Sequence, residues 1–497
     1  MRGRVASWSR ATTRISSRRS ALCRGSCCPW GVGAKADSES RRSYRVAMIP
    51  ESVLAIARDI RARGGRALLV GGYVRDQLLG GDNKDLDFEI YGVTVDELER
   101  ILARHGEVIT IGRSFGVLQV KGLGVDFALP RLDFKTGTGH KGFEVSVDPL
   151  LDYANASRRR DLTINSMALD PLTGELLDPH GGRKDLEAKV LRATDPRYFG
   201  DDPLRGLRVA QFAARFEMRP DPELKALCAA LDLSELSAER IFGELEKLLL
   251  KSNKPSIGLE LLRETRLLRY FPELECLVGL RQDPVWHPEG DVWTHTLMVV
   301  DRAAKLEDGG PDDLTLMLAA LCHDLGKATT TSIDADHIRS LNHEPEGARL
   351  TQAFLERLKA SNELTAAAAV LVEHHLAPTM LIDQNASDKA FRRLARKLEA
   401  AGATMLLLER VARADHLGRT TPEAVAGLYP EGDAFLERAR ALDVSHVAPV
   451  DVVLGRHVLA RGIAPGPAVG DILRRCREVQ DETGWDDADR ILDAVLH

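Results

Sequence analysis

The sequence predicts an α+β chain: a small mixed-sheet head up to about residue 190, then an all-helical remainder. Two observations predict it. Between Met48 and about Leu191, short strand-like apolar runs alternate with helical stripes. Beyond about Asp195, Leu, Ala and Arg recur at helical spacing instead. A third observation is length. At 497 residues the chain is too long for one core, so three or four domains are expected.

The N-terminal segment differs from the rest. Residues 1–47 hold ten Arg and one Lys against Asp37 and Glu39, a net of +9. The whole chain is −6, so residues 48–497 carry −15. A basic, Ser-rich, acid-poor tail has the composition of an organelle transit peptide. The alternative is a disordered tail or an upstream start that is not used. Met48, followed by the helical pattern Ile49–Arg58, is the favoured working start, and the cytoplasm the expected location unless the tail directs organelle import. Hydrophobic content of 44% and charged content of 29% describe a soluble globular protein. No run approaches the ~20 apolar residues of a membrane helix, so no membrane partner is expected. The seven cysteines show no C-x-x-C spacing, which suggests neither a zinc ribbon nor a disulfide scaffold.

Leu68–Val70 reads as a buried strand, followed by Gly71 and Gly72. Glycine lets backbone N–H groups approach a phosphate closely. Arg75 sits where its planar fork could grip that phosphate. Asp85 and Asp87 alternate with Leu86 and Phe88, so both acids project from one face of a strand. Two such carboxylates can share a divalent ion, and Mg²⁺ favours a few carboxylates plus substrate phosphates. Alone, each short motif also reads as an ordinary turn or a solvated strand face; their order and spacing favour the chemical reading.

Thr94–Arg104 reads as a helix capped by Thr94, with Leu98, Ile101 and Leu102 as its stripe. Glu107–Ile111, Val117–Lys121 and Val125–Leu129, the last carrying Asp126, read as strands. Residues 136–142 form a glycine-rich loop, and Glu144–Val147 returns as a short strand. Helical spacing follows over Asp201–Phe216, Pro222–Leu231, Ser237–Leu250 and Ser256–Arg266. Gly462–Pro467 marks a break before the last helices, and there is no internal repeat. An acidic body argues against nucleic-acid binding overall, yet Arg158, Arg159 and Arg160 with Arg205 and Arg208 form a local basic cluster.

Four further motifs follow the glycine turn and the Asp pair in order. They are Arg159–Ala168 (RRDLTINSMA), Asp178–Leu186 (DPHGGRKDL), Asp201–Ala210 (DDPLRGLRVA) and Ser237–Glu244 (SAERIFGE). Together they resemble the class II tRNA nucleotidyltransferase and bacterial poly(A) polymerase family, over about Leu68 to Glu244. The resemblance implies a nucleotidyltransferase head, then helical neck, body and tail. It implies transfer from CTP and ATP to the tRNA 3′ end. It implies that Asp85 and Asp87 bind catalytic Mg²⁺, with Asp126 a further acid on a neighbouring strand. Gly71, Gly72 and Arg75 match the triphosphate turn, and Arg160 matches a nucleotide-binding arginine. Asp202 and Arg205 match the base-reading pair, and Arg208 a nucleotide-contacting arginine. The pair also makes physical sense: a carboxylate accepts from the exocyclic amine of C or A, and an arginine donates to ring acceptors. Close relatives often carry Arg where this chain has Gln211, a departure that bears on nucleotide specificity. The segment Gly112–Val120 lacks a histidine associated with the poly(A) polymerase version and leans toward the tRNA enzymes.

The second half carries His295, the adjacent pair His323 and Asp324, and Asp415, with His343 and His375 as extras. A His-Asp pair joined by a His and an Asp from other helices can enclose a divalent metal, either a transition metal or Mg²⁺. From about Trp286 to Gly418 this resembles the HD phosphohydrolase domain, which follows the nucleotidyltransferase module in one bacterial subgroup. Its alternative is a degenerate helical support. His374 reads as structural or as a support to a ligand. The implied domains are a 1–47 tail, a 48–190 head, a 191–280 neck and body that binds RNA, a 281–420 HD domain and a 421–497 helical tail. The expected function is CCA addition to tRNA. The alternatives are CC-only, A-only or poly(A) addition, an HD phosphohydrolase or phosphodiesterase with an inactive head, and an RNA-binding module without catalysis. Oligomeric state is left open.

Overall fold

β1 (Arg66–Val70) and β2 (Leu86–Tyr91) pair antiparallel at the centre of the head sheet, with Leu69 opposite Phe88 and Leu68 opposite Glu89. The computed structural model describes residues 49–497 apart from 82, 113–116, 136–142 and 335–336. The basic tail, the glycine-rich loop and part of the Gly112–Val120 segment therefore lie outside the described residues.

The sheet has seven strands in the order β3-β4-β5-β2-β1-β8-β9. β3 is Val108–Gly112, β4 Val117–Val120, β5 Val125–Ala128, β8 Ala168–Leu169 and β9 Leu176–Leu177. β2 and β5 run parallel and the other neighbours antiparallel, so the sheet is mixed, as expected. A separate antiparallel hairpin joins β6 (Arg131–Lys135) to β7 (Phe143–Val147). Only its second strand is readable as a strand in the sequence.

Strand alternation divides the sheet into two faces. Leu69, Phe88, Ile90 and Phe127 point to the core, where α1 (Glu51–Ala62) and α3 (Val95–Leu102) supply Ile56, Ile60, Leu98 and Leu102, all 0% exposed. The Phe88 and Phe127 rings stack at 5.6 Å. Burying one such aromatic contributes about 2–3 kcal/mol, so the two together pin the β2–β5 register. The opposite face carries Leu68, Val70 and the acids of β2 and β5. α3 is capped as expected, Thr94 Oγ1 accepting from the Glu97 N–H. α2 (Gly72–Leu78) starts directly at the glycine turn.

Helices dominate beyond the head. α4 (Leu204–Phe216), α5 (Ala238–Leu250) and α6 (Pro255–Glu264) pack together. A Cβ on Gly258 of α6 would sit 2.6 Å from the Ala210 carbonyl oxygen, so the close α4–α6 approach requires glycine there. α6 is tied to the next helix, α7 (Val292–Ala303), because Asp301 accepts from Ser256 N–H (3.0 Å) and Oγ (2.7 Å). α7 packs on α8 (Asp313–Cys322) and on α12 (Met405–Leu417). α9 (His343–Arg357) lies along α10 (Asn362–His374), which also packs on α8. The helical stretch Asn362–Asp383, of mean hydropathy 1.2, is long and apolar enough to cross a membrane, contrary to the sequence expectation. Its Ala368, Leu371 and Val372 are 0% exposed in the core, which accounts for the apolar character. α11 (Asp388–Ala400) docks the C-terminal helices through Arg396, which reaches Asp481 (2.9 Å) and Asp451 (2.7 Å). Those helices, α13 (Pro467–Thr483) and α14 (Ala488–Leu496), enclose a small core of their own around Cys476, Ile491 and Val495.

Candidate active site in the head and candidate metal centre in the helical half

β2 sets the carboxylates by alternation: Leu86 and Phe88 are buried while Asp85 and Asp87 are exposed. Asp87 lies directly opposite Asp126 across the parallel β2–β5 pair. The Gln119 side chain donates to Asp126, and the Asn83 side chain accepts from the Asp85 N–H at 2.9 Å. The Asp87 carboxyl is pushed above the usual carboxylate range, first by burial and then by the negative charges of Asp126 and Asp85, against the pull of Arg160. Carboxylates whose charges oppose one another are a donor set that a divalent cation relieves.

Asp85 and Asp87 share one cavity of about 750 Å³ with Gly71 and Gly72. Gly71 adopts φ +74°, a conformation side chains resist. A Cβ there would meet Arg160 Nη1 at 3.3 Å, and one on Gly72 would meet Arg75 Nη2 at 3.3 Å. The turn is thus bare backbone backed by two guanidinium groups. Arg75 itself is buried. It donates to Asp76 (2.7 Å) and Asn165 (2.6 Å) and stacks on Phe216 at 4.7 Å and Phe212 at 5.2 Å. Its fork is therefore committed to bracing the turn, although it also lines the cavity. Asp76 passes the brace on, accepting from Asn83 at 2.8 Å.

Arg160 lines the same cavity. It is anchored from beneath by Glu89, 3.7 Å away, which also accepts from Arg159 at 2.9 Å. Glu89 is 1% exposed on the acidic face of β2, two residues past Asp87. Burial lowers the affinity of the Arg160 guanidinium for its proton, but Glu89 together with Tyr153, Tyr91 and Asp161 outweighs this and its pKa is raised. Across the cavity stands α4. Asp202 accepts from Arg240 at 2.9 Å. Arg205 donates to the Tyr198 and Arg159 carbonyls at 2.5 Å each. Arg208 donates to buried Asp161 at 2.8 Å and covers Phe212 at 5.1 Å. Asp202, Arg205 and Arg208 all face the cavity. Gln211 also lines it; its Nε2 is buried without a hydrogen-bond partner. Sequence reading missed Glu89, Asn83 and Asp161, and missed Arg215, Lys247 and Lys251 on the wall.

The second centre gathers five helices and one loop. α7 brings His295; the end of α8 brings His323 and Asp324; the start of α9 brings His343. The end of α10 brings His375, and α12 brings Asp415. His323, His343 and His375 each direct Nδ1 to the backbone carbonyl three residues earlier, at 2.8 Å in every case. His295 Nδ1 lies 2.8 Å from the Glu289 carboxylate, and Glu289 also takes His287 Nδ1 at 2.9 Å. The three carbonyl bonds fix the tautomers of His323, His343 and His375 with the proton on Nδ1 and free Nε2 as a ligand. The four Nε2 atoms converge on two carboxylates. His295 is 3.0 Å from Asp415, His323 is 3.2 Å from Asp324 and His343 is 3.6 Å from Asp324. His323 Nε2 and His375 Nε2 are buried with no hydrogen-bond partner. Two triads result around the Nε2 atoms, His295–His323–Asp324 and Asp324–His343–His375, sharing Asp324, and a further group, His287–Glu289–His295, adjoins them through His295. Burial raises and the His323 and Lys327 cations lower the Asp324 carboxyl, which ends well below the usual range. Burial drives the His375 imidazole down to about 3, so it is neutral at pH 7. A neutral His375 imidazole, ionised carboxylates and orphaned ring nitrogens fit a divalent metal. His374 points elsewhere and belongs to neither triad.

Three family models match the chain: the poly A polymerase head domain over 67–192, a probable RNA-binding site of polymerase A over 218–277, and the HD domain over 292–420. The multifunctional CCA protein of Cupriavidus necator is 37% identical over 396 residues, 76% of this chain and 92% of the relative. That of Xanthomonas oryzae pv. oryzae is 35% identical over 419 residues, 82% of this chain and 96% of the relative. The chain belongs to the multifunctional CCA protein family. It is a nucleotidyltransferase with an HD domain. The fold agrees: the CCA-adding enzyme of Bacillus stearothermophilus in complex with CTP superposes with TM-score 0.62 at 21% identity, covering 90% of this chain and 98% of that one. The Thermotoga maritima CCA-adding enzyme complexed with tRNA gives 0.57 at 18%, covering 92% and 98%. The head match encloses Asp85, Asp87, Asp126 and Arg160, while Asp202, Arg205 and Arg208 fall between the matched segments.

Proposed function

We propose that the chain adds C, C and A from CTP and ATP to the 3′ end of tRNA, releasing pyrophosphate. One observation carries this. Asp85 and Asp87, the latter in register with Asp126 of β5, and the Asp202–Arg208 face of α4 meet across a single cavity, floored by a glycine turn. In this reading Asp85 and Asp87 hold Mg²⁺, with Asp126 beside them. The ion, when bound, supplies the charge neutralisation that nucleotidyl transfer needs. The Gly71–Gly72 backbone, Arg160 and Arg208 bind the triphosphate, while Arg75 holds the turn in place. Asp202 accepts from the exocyclic amine shared by C and A, and Arg205 donates to the ring acceptors. Relatives named multifunctional CCA protein support this substrate. The basic cluster and the matched RNA-binding segment support tRNA as the partner. The domain limits at 47, 190, 280 and 420 follow the same reading, as does a cytoplasmic location.

Incubation with tRNA lacking its terminal CCA, plus labelled CTP and ATP, should add three nucleotides. Long A tails would instead assign a poly(A) polymerase. Addition of CC or A alone would assign a partial enzyme.

The second reading adds to the first. The freed Nε2 atoms favour an HD centre that is a metal-dependent phosphohydrolase. His295, His323, Asp324 and Asp415 would hold a divalent transition metal or Mg²⁺, with His343 and His375 completing the second triad. Loss of phosphate-ester hydrolysis in His323→Ala, with nucleotide addition retained, tests it.

A further inference from the structure

The HD cavity, about 270 Å³, has two unlike ends. Its floor is the histidine–carboxylate cluster together with two cations. Lys327 Nζ lies 2.8 Å from Asp324 and 3.0 Å from Gln282 Oε1. Arg419 donates Nη2 to Asp415 at 3.0 Å, while its Nε is buried with no hydrogen-bond partner. A cationic floor with a spare donor is built for an anion. The mouth is the opposite in character. Trp286 lines it at 61% exposure. Among the described residues, only Trp286 and Tyr198, the latter at 38%, are aromatic side chains left exposed. Ile338 lines the mouth as well. An indole left in water beside a phosphate-type floor is a stacking platform without its partner. The volume lies near the small end of ligand sites and suits one nucleotide unit rather than a strand.

We propose that Trp286 is the specificity-determining residue of the HD site: it stacks the base of a nucleoside phosphate whose phosphate rests against Lys327 and Arg419. The proposal rests on the phosphohydrolase reading and names what selects its substrates. In the reaction, a water oxygen bonds to phosphorus. The phosphorus–oxygen bond to the ribose breaks, and that ribose oxygen leaves carrying a proton. No co-reactant other than water is required. Trp286 takes no part in the bond changes and acts on binding alone.

The test uses the full-length protein dialysed against Mn²⁺, with adenosine 2′-monophosphate and glycerol 2-phosphate as substrates. Both are monoesters of secondary alcohols, and only the first has a base. Trp286→Ala should raise KM for the nucleotide about tenfold or more, the scale of one base–aromatic stack, and leave kcat/KM for glycerol phosphate unchanged. Trp286→Phe should restore most of the nucleotide affinity. Adenosine monophosphate should quench wild-type tryptophan fluorescence, and Trp286→Phe should remove that quench. Equal effects of Trp286→Ala on both esters, or none, overturn the proposal and leave the phosphohydrolase reading intact. If wild type hydrolyses neither ester, the underlying reading falls. The quench then decides separately: its absence overturns the proposal, and its loss in Trp286→Phe upholds a nucleotide-binding site.

Discussion

Glu89→Gln separates scaffold from chemistry on a strand where three acids share one face. Asp85 just before β2 and Asp87 and Glu89 within it alternate with apolar residues, and any of them could be taken for a metal ligand. The structure distinguishes them by surroundings. Asp85 and Asp87 face the cavity, whereas Glu89 is 1% exposed, accepts from Arg159 at 2.9 Å and Tyr91 at 3.0 Å, and lies 3.7 Å from Arg160. Replacing the carboxylate with an amide keeps shape and one acceptor but removes the charge. The bond from Arg159 falls from charge-assisted to weaker strength, a loss of about 1 kcal/mol. Arg160 keeps a largely buried charge with its nearest counter-ion gone, a further ~1–2 kcal/mol. The sum, about 2–3 kcal/mol, should lower the head's thermal transition by roughly 5–10 °C. Arg160 also backs Gly71, so the KM for CTP and ATP should rise while kcat at saturation changes little. Thermal unfolding of the full-length protein and steady-state incorporation into tRNA lacking CCA read both effects. A variant as stable as wild type that has lost kcat would make Glu89 a metal ligand and refute the reasoning.

Asp85→Asn or Asp87→Asn should reduce nucleotide incorporation by about 10²-fold or more without lowering the melting temperature, since Asp85 is exposed and the charge of Asp87 is opposed by burial and by its acidic neighbours. Asp202→Ala should free Arg240, raise KM for both nucleotides by about tenfold and blur the choice between CTP and ATP, read by single-nucleotide incorporation. His323→Ala should retain less divalent metal after dialysis, by elemental analysis, with addition in Mg²⁺ within about twofold of wild type. Burial, then Asp313, pushes the Glu307 carboxyl up from 4.5 to about 7 against the pull of Arg410. The folded state binds this proton more tightly, so stability falls as pH rises from 4.5 through 7. Glu307→Gln should therefore gain about 1 kcal/mol at pH 8, after allowance for solvent screening, and nothing at pH 4, by denaturant unfolding.

What the sequence made legible is what local periodicity encodes. Alternation around Asp85 and Asp87 places both acids on one face, and the Thr94 cap and the 98–101–102 stripe delimit α3 within a residue or two at either end. The α4 helix begins at Leu204 rather than Asp201 because Pro203 occupies the N-cap and leaves 201 and 202 in the preceding turn. Non-local pairing was out of reach. Nothing near Asp126 in the sequence states that it faces Asp87; only the family resemblance suggested it. Glu89 is hidden because one acid in the run Leu86–Tyr91 reads as a strand's solvated side, whereas its partners lie 70 residues away at Arg159 and Arg160. His343 and His375 join the HD pair through the packing of α9 on α10 and of α10 on α8, which periodicity does not report.

The acidic body stops being a puzzle for a tRNA enzyme once four arginines in and beside the cavity are traced to their supports. Arg75 leans on Asp76, Arg160 on Glu89, Arg208 on Asp161, and Arg240 on Asp202. Each acid subtracts from the net charge, yet none weakens the site in proportion, because it sits behind or beside its arginine. What a carboxylate in that position supplies is direction: it holds a long, rotamer-rich cation in one orientation before the nucleotide arrives, which lowers the ordering cost of binding. A chain-wide sum counts these acids as repelling RNA, although their field at the cavity is largely cancelled by their own partners. The quantity that governs binding is therefore the local sign of the wall, where eight Arg and Lys side chains outnumber the five Asp that line it with them, and a net charge of −6 carries no information about it.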